Sequence, residues 1–337
     1  VPAWYIGSYV DSSRDWDQIA YSAPFYLPVF SAGNDGNNNL NATPIAPGFD
    51  KLIGDKVAKN VLTVANSSDA IIFPDGTLAS VTLSSDSSQG PTDDRRIKPD
   101  IAGNGQGLTS LTATSNTSTN TFSGTSMAAP NVSGTLLLLQ QYHYSLHNVF
   151  MKAATLKGLA CHTADDAGNV GPDPRFGWGL LNAQKSALLI SNKGTSSIID
   201  ELTLTQGSAY SRNIISNGSP MRITVVWNDP AGPLSNGVED DPTSVLVNDL
   251  DVRVTKNSET FYPWVLNPFF IQGGAIQDDN PYDNVESIDV SNPSGAYTIT
   301  VSHKGNLSGG SQNFSLVVSG VDESLSLNQE GIENLVV

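Results

Sequence analysis

Near Ile190 the hydrophobic texture of the chain changes, and that change constrains the fold more than any other feature. Before it, short apolar runs alternate with longer helical ones. Tyr26 to Ser31 and Lys59 to Ala65 read as buried strands, Asp15 to Ser22 as the end of a helix, Ser126 to Tyr142 as a long apolar helix, and Val149 to Leu159 as another. Strands alternating with helices predict a parallel sheet covered by helices. After Ile198 the runs IIDELTLT, MRITVVW, LDVRVT, AYTITVS and FSLVVSG recur at regular spacing, separated by Gly, Asn and Pro. That pattern predicts an antiparallel β-sandwich. We therefore expect two domains, 1–195 and 196–320, joined through the linker SNKGTSS, with 321–337 a tail lacking a strand partner.

Composition narrows the function. Of 337 residues, 33 are acidic and 17 basic, for a net charge of −16. Phosphate binding needs a basic patch, so nucleic acid is not an expected partner. Apolar runs stop at about five residues, far short of the ~20 that cross a bilayer, so no membrane partner is expected either. One cysteine, Cys161, excludes an internal disulfide and a cysteine-rich zinc site. The low charged fraction of 15% and the abundance of Gly, Ser, Thr and Asn predict a secreted protein. No signal peptide precedes Val1, so secretion implies a processed or trimmed form.

Chemistry concentrates at Phe122 to Pro130, FSGTSMAAP. A serine where an apolar helix begins sits at the positive end of the helix dipole, beside unpaired backbone N–H groups. Those groups can stabilise an oxyanion, and small neighbours admit a peptide carbonyl. Taken alone, a serine in this position reads better as the N-cap of a core helix. The longer run GTSMAAP resembles the nucleophile signature of the subtilisin family of serine peptidases. Three further segments resemble that family in the right order: Ser31-Ala32-Gly33-Asn34; Ser88-Gln89-Gly90-Pro91 with Lys98-Pro99-Asp100-Ile101; and Thr163-Ala164-Asp165-Asp166 with Phe176-Gly177-Trp178-Gly179-Leu180-Leu181-Asn182-Ala183. Ala102-Gly103-Asn104-Gly105 departs from the commoner VAPG.

The resemblance implies a partial subtilisin-like α/β fold over residues 15–190 and peptide-bond hydrolysis through an acyl-enzyme on Ser126. It implies that Asn34 donates to the oxyanion, and that Ser31, Ala32 and Gly33 line the pocket for the substrate side chain before the scissile bond. Polypeptides are the implied substrates. The base and the acid that orients it precede the oxyanion asparagine in that family, and the 33 residues before Asn34 contain no histidine. Asp11, Asp15 and Asp17 read as surface acids. His143 follows Ser126 by 17 residues on one helix, roughly 25 Å away at ~1.5 Å per residue. His143 and His147 lack the adjacent Glu of a zinc protease and read as a surface or helix-end pair, while His162 and His303 read as structural. The chain is thus expected to hold the nucleophile and oxyanion half of a site, inactive alone, with an N-terminal fragment carrying the Asp and His as a possible partner. The alternative is a non-catalytic module of the same family that binds peptide or calcium.

Residues 198–320 resemble the β-barrel domain appended to certain bacterial alkaline subtilisins, related in shape to the P-domain of kexin-type convertases, and so predict a sandwich of jelly-roll type. Asp249 and Asp251 alternate on one side of a strand, and with Asp283, Asn284 and Glu286 they offer the hard oxygens that calcium prefers. The competing reading of these five is a set of solvated loop acids.

Overall fold

The computed structural model describes residues 1–324. A parallel sheet forms from β1 (Val29–Ser31), β2 (Leu62–Ser67) and β3 (Ile101–Asn104), in that order. Val29 pairs with Leu62, and Val64 with Ile101. Every residue of β2 is buried, as expected of a parallel strand covered on both faces. Helix α1 (Asp11–Ser22) precedes the sheet, and α2 (Thr125–His147), α3 (Ala153–Thr163) and α4 (Ala183–Ser191) follow it. Helix α2 buries Ala128, Val132, Leu136 and Leu139 on one stripe against the strands.

The boundaries shift from expectation for local reasons. Strand β1 starts at Val29 because Pro28 has no N–H to donate; its carbonyl instead accepts from Leu62. Helix α2 runs five residues beyond Tyr142, to a left-handed cap at Asn148 with φ of 62°. Residues 149–152 form a loop in which the Gln140 amide and the Met151 backbone exchange hydrogen bonds of 2.7 and 2.9 Å. The Lys98-Pro99-Asp100-Ile101 segment acts as a buried knot. Asp100 takes Lys98 Nζ at 2.5 Å and Lys157 Nζ at 2.9 Å, and its carboxylate also accepts from Thr63 N. The Phe176–Ala183 segment extends the sheet, since Ala102 N donates to Gly179 O and Leu181 N to Ala102 O.

The second half contains two antiparallel four-stranded sheets. With β4 (Ser197–Thr205), β5 (Tyr210–Ile215), β6 (Met221–Val226), β7 (Asp249–Lys256), β8 (Glu259–Phe261), β9 (Val285–Val290), β10 (Ala296–Lys304) and β11 (Ser311–Ser319), the orders are β9-β6-β11-β4 and β8-β7-β10-β5. One apolar cluster fills the space between them, with Ile223, Trp227, Val252, Ile299 and Leu316 among its members. All five sequence runs are strands.

The two halves share a core. Val226, Val285, Val317 and Ile199 belong to the same buried cluster as Leu62, Val132 and Leu159. Helix α3 lies on β6 and β11 at close range: a Cβ at Gly158 would fall 2.4 Å from Val226 Cγ1. His162, at the end of α3, places Nδ1 2.9 Å from Thr224 Oγ1 and Nε2 3.0 Å from Ser319 Oγ. The start of the tail has partners after all. Val321 is buried and bridges Ser216, and Glu323 N donates to Thr195 O. The remainder of the expected tail lies outside the described residues.

Candidate active site

Strand β1 and helix α2 bring Asn34 and Ser126 to one edge of the parallel sheet. Such crevices at the carboxyl ends of strands are where α/β folds bind ligands. Gly33 follows β1 with φ of +113°, and a Cβ there would stand 2.8 Å from Ser88 Oγ. Glycine is required by both the torsion and the space. Gly33 N donates to Thr125 Oγ1 at 3.2 Å, and Ser88 N donates to Gly33 O at 2.9 Å. The turn that presents Asn34 is therefore pinned from two sides.

Asn34 Oδ1 accepts from Thr125 N at 3.0 Å and from Thr125 Oγ1 at 2.9 Å. With its oxygen committed to the first residue of α2, the amide Nδ2 has no protein acceptor among the described residues. Ser126 is the next residue, exposed in the first turn of α2, and its Oγ likewise has no partner among the described residues. Thr125 N is taken by Asn34, and Met127 N and Ala128 N by Gly124 O, so among the described residues the Ser126 hydroxyl, the Ser126 N–H and the Asn34 amide are the groups left unpartnered beside the start of α2. Such donors are what a tetrahedral oxyanion requires. Ser31 and Gly33 are half-buried and Ala32 is buried, with Ala32 N bonded to Val64 O at 2.9 Å. Thr125 and Ser88 were not singled out from the sequence, although each lies inside a motif that was.

No histidine among the described residues serves Ser126. His143 is buried at the far end of α2, its Nδ1 donating to Val149 O at 2.9 Å, while His147 Nε2 donates to Ile190 O at 3.1 Å. His162 is in the interface between the halves, where burial pushes it down to about 3. His303 Nε2 accepts from Gly207 N at 2.8 Å. Asp11 and Asp15 are surface acids, but Asp17 is not. It is fully buried, accepts from Tyr9 Oη at 2.7 Å and Asn60 N at 2.8 Å, and lies 3.4 Å from Lys59 Nζ. It lies on the side of α1 that packs against Tyr9, Lys59 and Asn60.

The five acids and amides proposed for calcium separate into two groups. Asp283 accepts from Ile97 N at 2.8 Å, and Asn284 donates to Trp227 O at 2.7 Å and Asn60 Oδ1 at 3.1 Å, so both face the first half. Asp249, Asp251 and Glu286 lie together elsewhere. There Lys304 reaches Asp251 at 3.0 Å and Asp249 at 3.6 Å, and Arg253 reaches Asp251 at 3.1 Å. Burial, with Asp251 close by, raises Glu286 well above the usual carboxylate range. Asp249 Oδ1 and Glu286 Oε1 are nevertheless buried there with no hydrogen-bond partner.

The sequence model of the subtilase family matches residues 6–179, just over half of the chain. The chain belongs to the subtilase family. Within this subtilase, a 64-residue stretch is 47% identical to the autotransporter lipoprotein NalP of Neisseria meningitidis serogroup B, covering 19% of the chain and 5% of that protein. Among solved structures, the self-cleaved protease domain of PatA is similar at 20% identity and a TM-score of 0.42, over 56% of this chain and 58% of that one. The CspB protease of Clostridium perfringens is similar at 26% identity and a TM-score of 0.35, over 43% and 30%. The chain thus spans about a twentieth of the curated relative and less than two thirds of these protease structures. Among the described residues no helix is long and apolar enough to cross a membrane.

Proposed function

We propose that this subtilase chain is the nucleophile-bearing part of a secreted serine endopeptidase. Ser126 Oγ attacks the carbonyl carbon of a peptide bond, and its proton passes to a histidine. The tetrahedral oxyanion is held by Asn34 Nδ2 and the backbone N–H of Ser126. Collapse of the intermediate breaks the C–N bond, the histidine protonates the leaving amine, and water then hydrolyses the acyl-enzyme. Ser31, Ala32 and Gly33 border the side chain that precedes the scissile bond. The single observation that carries this reading is the double hydrogen bond from Thr125 to Asn34 Oδ1, which fixes the Asn34 carboxamide beside the first turn of α2 and leaves its Nδ2 free to donate.

The histidine and its orienting acid come from a segment outside these 337 residues, and that fragment is the partner this reading requires. Residues 196–320 form a β-sandwich of jelly-roll type, an assignment supported by the two antiparallel sheets around one core. A fluorophosphonate probe tests the reading. With the histidine-bearing segment co-expressed, the probe should label Ser126 and no other serine, and labelling should vanish in Ser126→Ala. The absence of a base among the described residues favours, as the second reading, a non-catalytic peptide-binding module. Peptide binding without any labelling in the complemented protein would establish it instead.

A further inference from the structure

Away from the nucleophile, three carboxylates meet where the loop after β6 folds over the first half. One oxygen each from Asp50, Asp93 and Asp240 lies within 4.8 Å of the others. Asp50 is 1% exposed and Asp93 5%. Each has one oxygen already engaged: Asp50 Oδ2 accepts from Asn41 Nδ2 at 2.8 Å, and Asp93 Oδ2 from Ser8 Oγ at 2.7 Å. Those bonds turn the other oxygens to a common point. Asp50 Oδ1, Asp93 Oδ1 and Asp240 Oδ1 are all buried with no hydrogen-bond partner.

The shared point is on the open side of Gly7, where a Cβ would stand 2.1 Å from Asp93 Oδ1 and 2.7 Å from Asp50 Oδ1. Among the described residues no lysine, arginine or histidine pairs with any of the three acids. Burial, with Asp50 and Asp240 adding to it, pushes Asp93 up to about 8 despite the hydrogen bond from Ser8. Buried carboxylates are ordinarily paired or bound to metal.

We propose that Asp50, Asp93 and Asp240 hold a calcium ion that ties the loop after β6 to the first half of the molecule. The all-oxygen donor set selects a hard cation. The three oxygens lie within 4.8 Å of one another, close enough to ligate one calcium ion, whose opposite ligands stand about 4.6–5.2 Å apart. Neighbouring contacts already cross the same junction. Thr43 Oγ1 donates to Glu239, and Ser235 N donates to Tyr9 O. The site is distinct from the Asp249, Asp251 and Glu286 group, where Lys304 and Arg253 supply the positive charge.

The test is calcium chloride added to the EDTA-stripped full chain, followed by calorimetric titration and by thermal melting against sodium and magnesium at equal ionic strength. We expect a melting temperature several degrees higher with calcium alone. Asp93→Asn and Asp240→Asn should each lose the calcium response, and Asp240→Asn should also melt higher than the parent in EDTA, because one repelling charge is gone. Asp249→Ala should keep the response. Two results would overturn the proposal: a calcium response that survives both asparagine variants, or one that magnesium reproduces. A parent chain that takes up no calcium would show that the three acids share protons instead.

Discussion

Asn34 Oδ1 receives both hydrogen bonds that Thr125 can donate, from its backbone N–H at 3.0 Å and from its hydroxyl at 2.9 Å. This pairing welds the end of β1 to the start of α2. It fixes the orientation of the Asn34 carboxamide, committing Oδ1 to the helix start and leaving Nδ2 free, a choice that the residue type leaves open.

Asn34→Ala should therefore lower kcat by about 10²–10³ in the complemented enzyme with little change in KM, the loss seen when one oxyanion donor is removed. Steady-state kinetics on a peptide substrate check this. A fall of less than tenfold would show that the Ser126 N–H holds the oxyanion without Asn34.

Thr125→Val keeps the backbone donor and loses the hydroxyl, so Asn34 is held by one bond instead of two. A net hydrogen bond contributes about 0.5–1.5 kcal/mol, so turnover should fall up to about tenfold. In an Asn34→Ala background the same substitution should have almost no further effect on kcat, because the two residues act as a unit. Additive losses would mean that Thr125 acts on Ser126 directly.

Gly33→Ala must force a side chain into a turn with φ of +113° and a contact 2.8 Å from Ser88 Oγ. The expected cost is about 1–3 kcal/mol of stability, with Asn34 displaced as well. Urea unfolding checks the first effect. Adding Ser88→Ala should relieve the contact and leave the torsional cost.

The chain without its complement should not cleave casein above background. In subtilisin, loss of the base costs on the order of 10⁶ in turnover. Cleavage by a mass-verified sample of this chain, lost in Ser126→Ala, would mean that a base among these residues had been overlooked.

His162 gives the interface a pH dependence with a definite sign. Burial pushes it from 6.5 down to about 3, so the folded form keeps it neutral while the unfolded chain takes up a proton below 6.5. Its contribution to stability is complete above pH 6.5 and declines as pH falls toward 3. Between about pH 7 and 5 the loss should be about 2 kcal/mol. Chemical unfolding at the two pH values should show that slope in the parent and a smaller one in His162→Gln.

Sequence alone determined the parts of this subtilase that are local. GTSMAAP places Ser126 at a helix start because small residues and an apolar stripe specify that start without outside help. SAGN places Asn34 on a turn because only glycine tolerates the torsion at Gly33. The alternating runs after Ile198 specify strands for the same reason, since period-two burial is written along each segment. Tertiary structure decided what depends on residues far apart in the chain. Asp17, 43 residues from Asn60 and 42 from Lys59, reads as a surface acid until the fold closes over it. Asp283 and Asn284 left the acids they were grouped with because the first half offered them N–H and C=O partners. Asp50, Asp93 and Asp240 share no motif or spacing, and they converge only because the loop after β6 crosses to the first half. Side-chain pairing across such distances depends on which faces are packed together, and that is set by the summed burial of the whole core rather than by any segment's own pattern.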